Sequence, residues 1–248
     1  MSAVALYIDG LSVSFGSMRA IDGLSMLIKY GEVRAIIGPN GAGKTTLLDI
    51  ITGKTRPDDG VVALNSKVDL LAMSDVKVAL AGVGRKFQKP SIFEALSVAN
   101  NLRLALRNSD AGTINEMFRS PSSDEKDRME QVLETIGMKD LVDRPAGVLS
   151  HGEKQWLEIG MLLLQEPKVL LLDEPVAGMS DEETERTVEL VSSLRSPDRA
   201  VVVIEHDMSF VEKIADVITV LHEGRVLIEG SMEKVKSDPQ VRDVYLGR

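Results

Sequence analysis

Short apolar runs alternate with glycine turns in the first part of the chain. Three turn pairs that end in glycine interrupt residues 1–37. This pattern predicts antiparallel strands that lead into a buried strand over residues 32–37. A glycine-rich loop follows, then a helix over about residues 44–52. Residues 56–83 are predicted to form further strands joined by turns.

Helical spacing of apolar residues replaces this pattern after about residue 91. Residues 108–126 are polar and are predicted to be a solvated, mobile connection. Strand-length apolar runs return at residues 169–172 and 201–204. The predicted helices are residues 98–106, 129–136, 152–165 and 181–194. Strands that alternate with helices in this way favour a parallel α/β sheet that carries a helical insertion.

Composition narrows the possible classes of protein. Of the 248 residues, 44% are hydrophobic and 27% are charged, which excludes a generally disordered chain. The absence of cysteine excludes disulfide frameworks, thiolate zinc sites and cysteine nucleophiles. A net charge of −9 disfavours a broad grip on nucleic acid, so no such partner is expected. No apolar stretch reaches the ~18–20 residues of a membrane span, so a membrane role would need another chain.

A phosphate-binding loop is the clearest motif in the sequence. The pattern G-x-x-x-x-G-K-[ST] is fitted by Gly38-Pro39-Asn40-Gly41-Ala42-Gly43-Lys44-Thr45, between a predicted strand and a predicted helix. Glycines let the chain wrap closely around a phosphate, and the helix N-terminus offers amide hydrogens and a positive dipole end. Lys44 is expected to reach the β- and γ-phosphates of ATP and Thr45 to bind Mg²⁺. Thr46 completes the predicted nucleotide-binding residues of this loop.

Two carboxylates follow the apolar strand at residues 169–172. In phosphate-loop proteins, the first acid at the end of a neighbouring strand binds Mg²⁺, and this position is Asp173. The second acid, Glu174, is expected to face the γ-phosphate and to orient or deprotonate a water molecule. Because acids are common in turns, the pair gains its meaning from the phosphate loop upstream.

Four motifs in this order resemble the ATP-binding subunits of ABC transporters. They are the phosphate loop, Leu149-Ser150-His151-Gly152-Glu153, the strand that ends in Asp173-Glu174, and Glu205-His206-Asp207. The resemblance covers essentially the whole chain. It implies a phosphate-loop α/β ATPase core over residues 1–88 and 165–248, with an antiparallel β part near the N-terminus. It also implies an inserted helical subdomain over residues 89–164 that carries the signature motif.

Roles for single residues follow from this resemblance. Gln88 matches a glutamine that contacts Mg²⁺ and water, and His206 matches a histidine that senses the γ-phosphate. Phe15 matches an aromatic residue that stacks on adenine, although an aromatic near a strand end is more often part of the core. Ser150 and the Gly152 backbone are implied to contact ATP that is held by a second chain. With Lys44 and Glu174, Gln88 and His206 form the implied catalytic residues.

Within the family, the sequence of the motifs is similar to that of the branched-chain amino-acid importer branch, and most similar to that of the ATPase of urea importers. Residues 149–159, 176–179 and 244–247 carry this similarity. Two departures from the family pattern concern the signature, where His151 replaces a glycine and Glu153 a glutamine. A third is Ser180, which stands where many members have aspartate.

The resemblance therefore implies ATP hydrolysis that drives import of a small polar solute, with urea or a related amide as the expected solute. The cofactors are ATP and Mg²⁺. The implied partners are a second ATPase chain, permease subunits and, indirectly, a solute-binding protein. The implied location is cytoplasmic, peripheral on the inner face of the cell membrane. The alternatives are a branched-chain amino-acid importer, a lipid exporter, or a soluble ABC ATPase outside transport.

Overall fold

The secondary structure comes from a computed structural model that describes residues 3–87, 91–106 and 122–246. In chain order, the described strands are β1 (Val4–Phe15), β2 (Met18–Lys29), β3 (Val33–Ile37), β4 (Asp59–Leu64), β5 (Val68–Asp69), β6 (Val83–Lys86), β7 (Val169–Asp173), β8 (Ala200–Ile204), β9 (Val217–His222) and β10 (Arg225–Gly230). The described helices are α1 (Lys44–Ile51), α2 (Asp75–Ala81), α3 (Val98–Ala105), α4 (Ser123–Thr135), α5 (His151–Leu163), α6 (Asp181–Ser193), α7 (Met208–Ile214), α8 (Met232–Ser237) and α9 (Pro239–Leu246).

The strands form two sheets. One has the order β2-β1-β4-β5 and is antiparallel. The other has the order β10-β9-β3-β8-β7-β6, in which β9, β3, β8 and β7 run parallel to one another and β10 is antiparallel to β9. Both parts of the predicted fold class, an antiparallel β part near the N-terminus and a parallel α/β sheet, are confirmed.

Strands β3, β7 and β8 are buried at every position. Continuous apolar runs of this kind are typical of parallel strands that are covered on both faces. Because the three strands are parallel neighbours, their carboxyl ends lie along one edge of the sheet. The phosphate loop follows β3, Glu174 follows β7 and His206 follows β8 closely. Ligands bind at this edge in open α/β sheets.

Five of the described helices differ from the sequence prediction. Helix α2 lies where strand and turn were predicted, and Ser74 caps its N-terminus. Helix α4 begins at Ser123, because Ser122 and Glu125 form a reciprocal capping box that starts the helix earlier than its apolar residues indicate. Residues 122–126 are therefore not part of a mobile connection, and residues 107–121 lie outside the described residues. Helices α7, α8 and α9 were not predicted.

Two compact units divide the chain. The first comprises Met1–Arg85, Lys168–Pro175 and Leu194–Arg248, and the second comprises Lys86–Pro167 and Val176–Ser193. The core and subdomain boundaries given above stay predictions. Among the described residues, no helix has the length and apolar character that crossing a membrane requires.

Candidate nucleotide-binding site

The phosphate loop adopts backbone conformations that only glycine takes easily. Gly43 has a φ of 99°, and a Cβ atom there would lie 2.6 Å from the carbonyl oxygen of Ala20. A Cβ atom at Gly38 would lie 2.2 Å from the carbonyl oxygen of Leu221. Side chains at these positions would push the loop away from the strands that support it. Gly38 and Gly43 are therefore needed for the loop to form, before any ligand binds.

The N-terminus of α1 carries no side-chain cap. Gly43 is the N-cap residue, no side chain accepts a hydrogen bond there, and the first turn contains no acidic residue. The first amide hydrogens of a helix have no partner within the helix and carry a partial positive charge. This helix end therefore presents donors that suit a phosphate group.

The side chain of Lys44 folds back into the phosphate loop. Its side chain is buried, and Nζ donates to the carbonyl oxygens of Gly38 at 2.7 Å and Pro39 at 3.0 Å. Burial lowers the pKa of Lys44, and the charges of Glu174 and Asp173 oppose this shift. The acid pair after β7 therefore acts electrostatically on the phosphate-loop lysine, as expected for parts of one site.

A buried arginine joins the phosphate-loop helix to the first acid. Arg85, on β6, donates from Nη2 to Oδ2 of Asp173 at 2.9 Å, and its Nη1 pairs with Asp49 on α1. Both Arg85 and Asp173 are buried. Sequence reasoning gave Arg85 no role of its own, because the pairs span 36 and 88 positions of the chain.

Glu174 and His206 lie together at the sheet edge. The His206 Nε2 atom lies 3.1 Å from Oε1 of Glu174, and the backbone N–H of Glu174 donates to the Ile204 carbonyl at 2.9 Å. Glu174 has a φ of 48°, in the left-handed region that non-glycine residues rarely adopt. Such conformations cost energy and concentrate at functional sites. The two predicted catalytic residues are thus adjacent and can share a proton or a water molecule.

The donor set around α1 suits Mg²⁺ shared with a nucleotide. Thr45 supplies a hydroxyl at the helix N-terminus and Asp173 supplies carboxylate oxygens at the end of β7. Within the described residues, no group of three His, Cys, Asp or Glu residues could hold a metal ion by itself. Mg²⁺ prefers oxygen ligands and commonly takes most of them from phosphates and water, so the two residues fit that ion. Gln88, the third predicted metal ligand, lies outside the described residues.

Phe15 is not a core residue. It ends β1, pairs with Met18 across the first hairpin, and is 50% exposed. Two residues further along β2, Ala20 makes the close approach to Gly43 described above. The exposed ring therefore belongs to a hairpin that leads directly to the phosphate loop. Its stacking on adenine stays a prediction.

The signature residues lie at the N-terminus of α5. Ser150 is the N-cap, and it forms a capping box with Glu153. Ser150 Oγ also donates to Oε1 of Glu183 at 2.8 Å, and the Gly152 backbone N–H donates to the same oxygen at 3.2 Å. Sequence reasoning missed Glu183, although the spacing Ser180-x-x-Glu183 matches a capping box and was available as a signal.

His151 takes part in this local structure. Its Nε2 atom lies 3.1 Å from the carbonyl oxygen of Ala177 and 3.2 Å from the amide nitrogen of Gln155. The departure from glycine at position 151 therefore links the start of α5 to the segment that follows the acid pair. Glu153, the other departure, serves as the capping partner of Ser150.

Fold and motifs define an ATP-binding cassette, and comparison with known proteins places it. The sequence profile of the family described as "ABC transporter" matches residues 21–177. The chain belongs to this family. It is 34% identical to the high-affinity branched-chain amino acid transport ATP-binding protein BraF of Pseudomonas aeruginosa, over 100% of this chain and 99% of that protein. It is 33% identical to a probable branched-chain amino acid transport ATP-binding protein LivG of Methanocaldococcus jannaschii, over 94% of this chain and 93% of that protein.

A solved structure agrees with this assignment. The ADP conformation of MJ1267, an ATP-binding cassette of an ABC transporter, superposes with a TM-score of 0.86 at 30% identity. The match covers 99% of both chains. The chain therefore has the cassette fold.

Proposed function

We propose that this chain hydrolyses ATP to energise an importer of the branched-chain amino-acid type. The observation that carries the proposal is the convergence of the phosphate loop, Asp173, Glu174 and His206 at one edge of the parallel sheet. The uncapped helix N-terminus and the buried Lys44 suit the phosphates of ATP. Thr45 and Asp173 suit the Mg²⁺ ion that neutralises them.

In this proposal, Glu174 acts as the base for the attacking water. A carboxylate beside a histidine at the γ-phosphate position can accept a proton from water while the histidine orients the group. Lys44 stabilises the charge of the phosphate chain by preorganised electrostatics. Phe15 supports the adenine, and Gln88 contributes to the metal site.

The signature residues act on a second chain. Ser150 and the Gly152 amide lie at the N-terminus of α5, which suits an anion, yet the phosphate loop belongs to the other compact unit. We propose that these groups close over ATP bound to a partner ATPase, so that ATP joins two chains. Permease subunits in the membrane and a solute-binding protein complete the assembly. The chain then lies against the inner face of the cell membrane.

The solute is proposed from the relatives. The printed names of BraF and LivG specify branched-chain amino acids, and the identity extends over nearly their full length. This favours a branched-chain amino acid as the transported solute. No comparison supports the prediction of urea or an amide, which rests on the wording of residues 149–159. Measuring ATP hydrolysis by the purified native transporter with leucine or with urea, each with its binding protein, distinguishes the two solutes.

Replacing Glu174 by Gln tests the ATPase proposal. The amide keeps the shape of the side chain and loses the base, so hydrolysis should fall by about 10²- to 10⁴-fold while ATP binding persists. Because ATP is then trapped, gel filtration with ATP and Mg²⁺ should show a stable dimer. A variant that hydrolyses ATP at the wild-type rate would remove Glu174 from the reaction.

A further inference from the structure

Glu183 places one carboxylate between two helix N-termini. Its Oε2 atom accepts hydrogen bonds from the backbone N–H of Ser180 at 3.0 Å and from Ser180 Oγ at 3.2 Å. Its Oε1 atom accepts from Ser150 Oγ at 2.8 Å and from the Gly152 N–H at 3.2 Å. Each oxygen thus receives two donors, one pair from the segment before α6 and one from the start of α5.

Helix capping explains the hydrogen bonds to only one of the two carboxylate oxygens of Glu183. The bonds between Ser180 and Glu183 form the capping box of α6 through Oε2. Helix α5 already has its own box, in which Glu153 accepts from the Ser150 N–H at 2.7 Å and Ser150 Oγ accepts from the Glu153 N–H at 3.2 Å. What Glu183 takes in addition is the hydroxyl hydrogen of Ser150 and the amide hydrogen of Gly152. Those two donors are the ones that the proposed function assigns to the γ-phosphate of the partner's ATP.

The position of Glu183 is fixed by packing and by the small size of Gly152. One turn further along α6, Thr187 accepts a hydrogen bond at 2.9 Å from Nε1 of the buried Trp156 on α5. A Cβ atom at Gly152 would lie 2.7 Å from Oε1 of Glu183, so only glycine admits the carboxylate at this distance. The hydrogen bonds from Ser180, Ser150 and Gly152 lower the pKa of Glu183, so the group is an anion at neutral pH.

We propose that Glu183 is an internal stand-in for the terminal phosphate, which occupies the signature donors until the partner's ATP displaces it. The inference rests on the proposed function. A carboxylate and a phosphate oxygen compete for the same donors and repel each other, so both cannot occupy the site. The carboxylate keeps Ser150 and Gly152 aligned in the separate chain. It also weakens closure, because release of Glu183 must accompany the arrival of ATP.

The experiment measures ATP-dependent dimer formation in the Glu174→Gln background. Glu183→Gln retains the capping geometry, since glutamine also serves in a capping box, but it removes the charge and weakens the two bonds to the signature. We expect the ATP concentration for half-maximal dimer to fall by about tenfold. Glu182→Gln is the matched control, because it removes the same charge one residue away from an exposed position. It should leave this concentration unchanged.

A second variant tests occupancy apart from charge. Glu183→Asp keeps the negative charge at the start of α6 but shortens the side chain, so it should vacate the Ser150 and Gly152 donors and also favour the dimer. ATP affinity of the separate chain reports an intact phosphate loop and should be the same in every variant. Failure of Glu174→Gln to dimerise with ATP, both alone and with the native partner ATPase, would overturn the proposed function. If that variant dimerises, but neither Glu183 variant eases dimer formation or Glu182→Gln does so equally, the stand-in role is wrong.

Discussion

Helices α1 and α5 both point an N-terminus at a proposed phosphate site, but the two ends are built differently. Helix α1 starts at a glycine, with no side-chain cap and no acid in its first turn. Helix α5 starts at Ser150, has Glu153 in its first turn, and receives a second carboxylate from Glu183. One end leaves its amide donors to a ligand, and the other satisfies them within the chain.

This difference has an energetic meaning. A serine N-cap stabilises a helix by about 1 kcal/mol, and acids in the first turn add to that through the helix dipole. Helix α1 forgoes this stabilisation, so a phosphate gains it on binding. Helix α5 already has it, so a phosphate must first displace a carboxylate. The comparison therefore predicts an order of events, in which ATP binds to the phosphate loop first and the signature engages afterwards.

The largest expected effect comes from a substitution at the uncapped N-terminus of α1. Lys44→Ala removes the cation that faces the β- and γ-phosphates, and loss of such a buried charge contact should weaken ATP binding by about 100-fold or more. Isothermal titration calorimetry on the separate chain measures this directly. Lys54→Ala is the matched control, because Lys54 follows a second glycine and precedes a threonine in the same way, ten positions on. ATP affinity unchanged by Lys44→Ala would contradict the site.

Substitutions at the N-termini of α1 and α5, placed in different chains, test whether these two helix ends bind the same nucleotide. Lys44→Ala spoils the phosphate loop and Ser150→Arg spoils the signature, so each variant alone should hydrolyse almost no ATP. In a mixed dimer, one site combines an intact Lys44 with an intact Ser150 from the other chain. Because about half of randomly paired dimers are mixed and each has one whole site of two, activity should recover to about a quarter of the wild-type value.

The reading of this mixture depends on two controls. The wild-type chain must hydrolyse ATP as a homodimer, and a mixture of Lys44→Ala with Lys44→Ala,Ser150→Arg must stay inactive. If the wild-type chain is silent alone, the same mixture is repeated with the native partner ATPase. Activity that never recovers in an otherwise active homodimer indicates that each site lies within one chain.

The N-terminus of α1, which has no side-chain cap, was predictable from the sequence. The capped N-terminus of α5 and its contact with Glu183 were not. Residues 38–45 are contiguous, and each position has a local reason in backbone geometry or charge. The signature was found by resemblance alone, and the Glu183 carboxylate reaches Ser150 across 33 positions of the chain. Arg85 escaped notice for the same reason, since its partners lie on other elements. A motif of contiguous residues can be recognised in a sequence, whereas contacts between distant residues can be identified only in the folded structure.

Two helices show the same limit within the fold. The start of α4 at Ser123 follows from the capping box of Ser122 and Glu125, a local signal that the apolar spacing of residues 129–136 does not contain. Helix α2 is short and mostly exposed, with Val78 as its buried residue, so it lacks an apolar face that periodicity could reveal. In both cases the N-cap serine was the better signal.

The smallest expected effect concerns the pH dependence of stability and the middle of α5, where Glu158 is buried. Burial raises the pKa of Glu158 to about 7, although the charge of Lys86 and the N–H of Ser91, 3.2 Å from Oε1, oppose the shift. In the unfolded chain this carboxyl ionises at its ordinary lower pKa, so raising the pH through the folded pKa removes stability. From about pH 6 to about pH 8, the wild-type chain should lose about 1 kcal/mol of unfolding free energy that Glu158→Gln does not lose. Urea unfolding of both chains at the two pH values measures the difference, and equal pH dependence in the two chains would show that Glu158 stays ionised throughout.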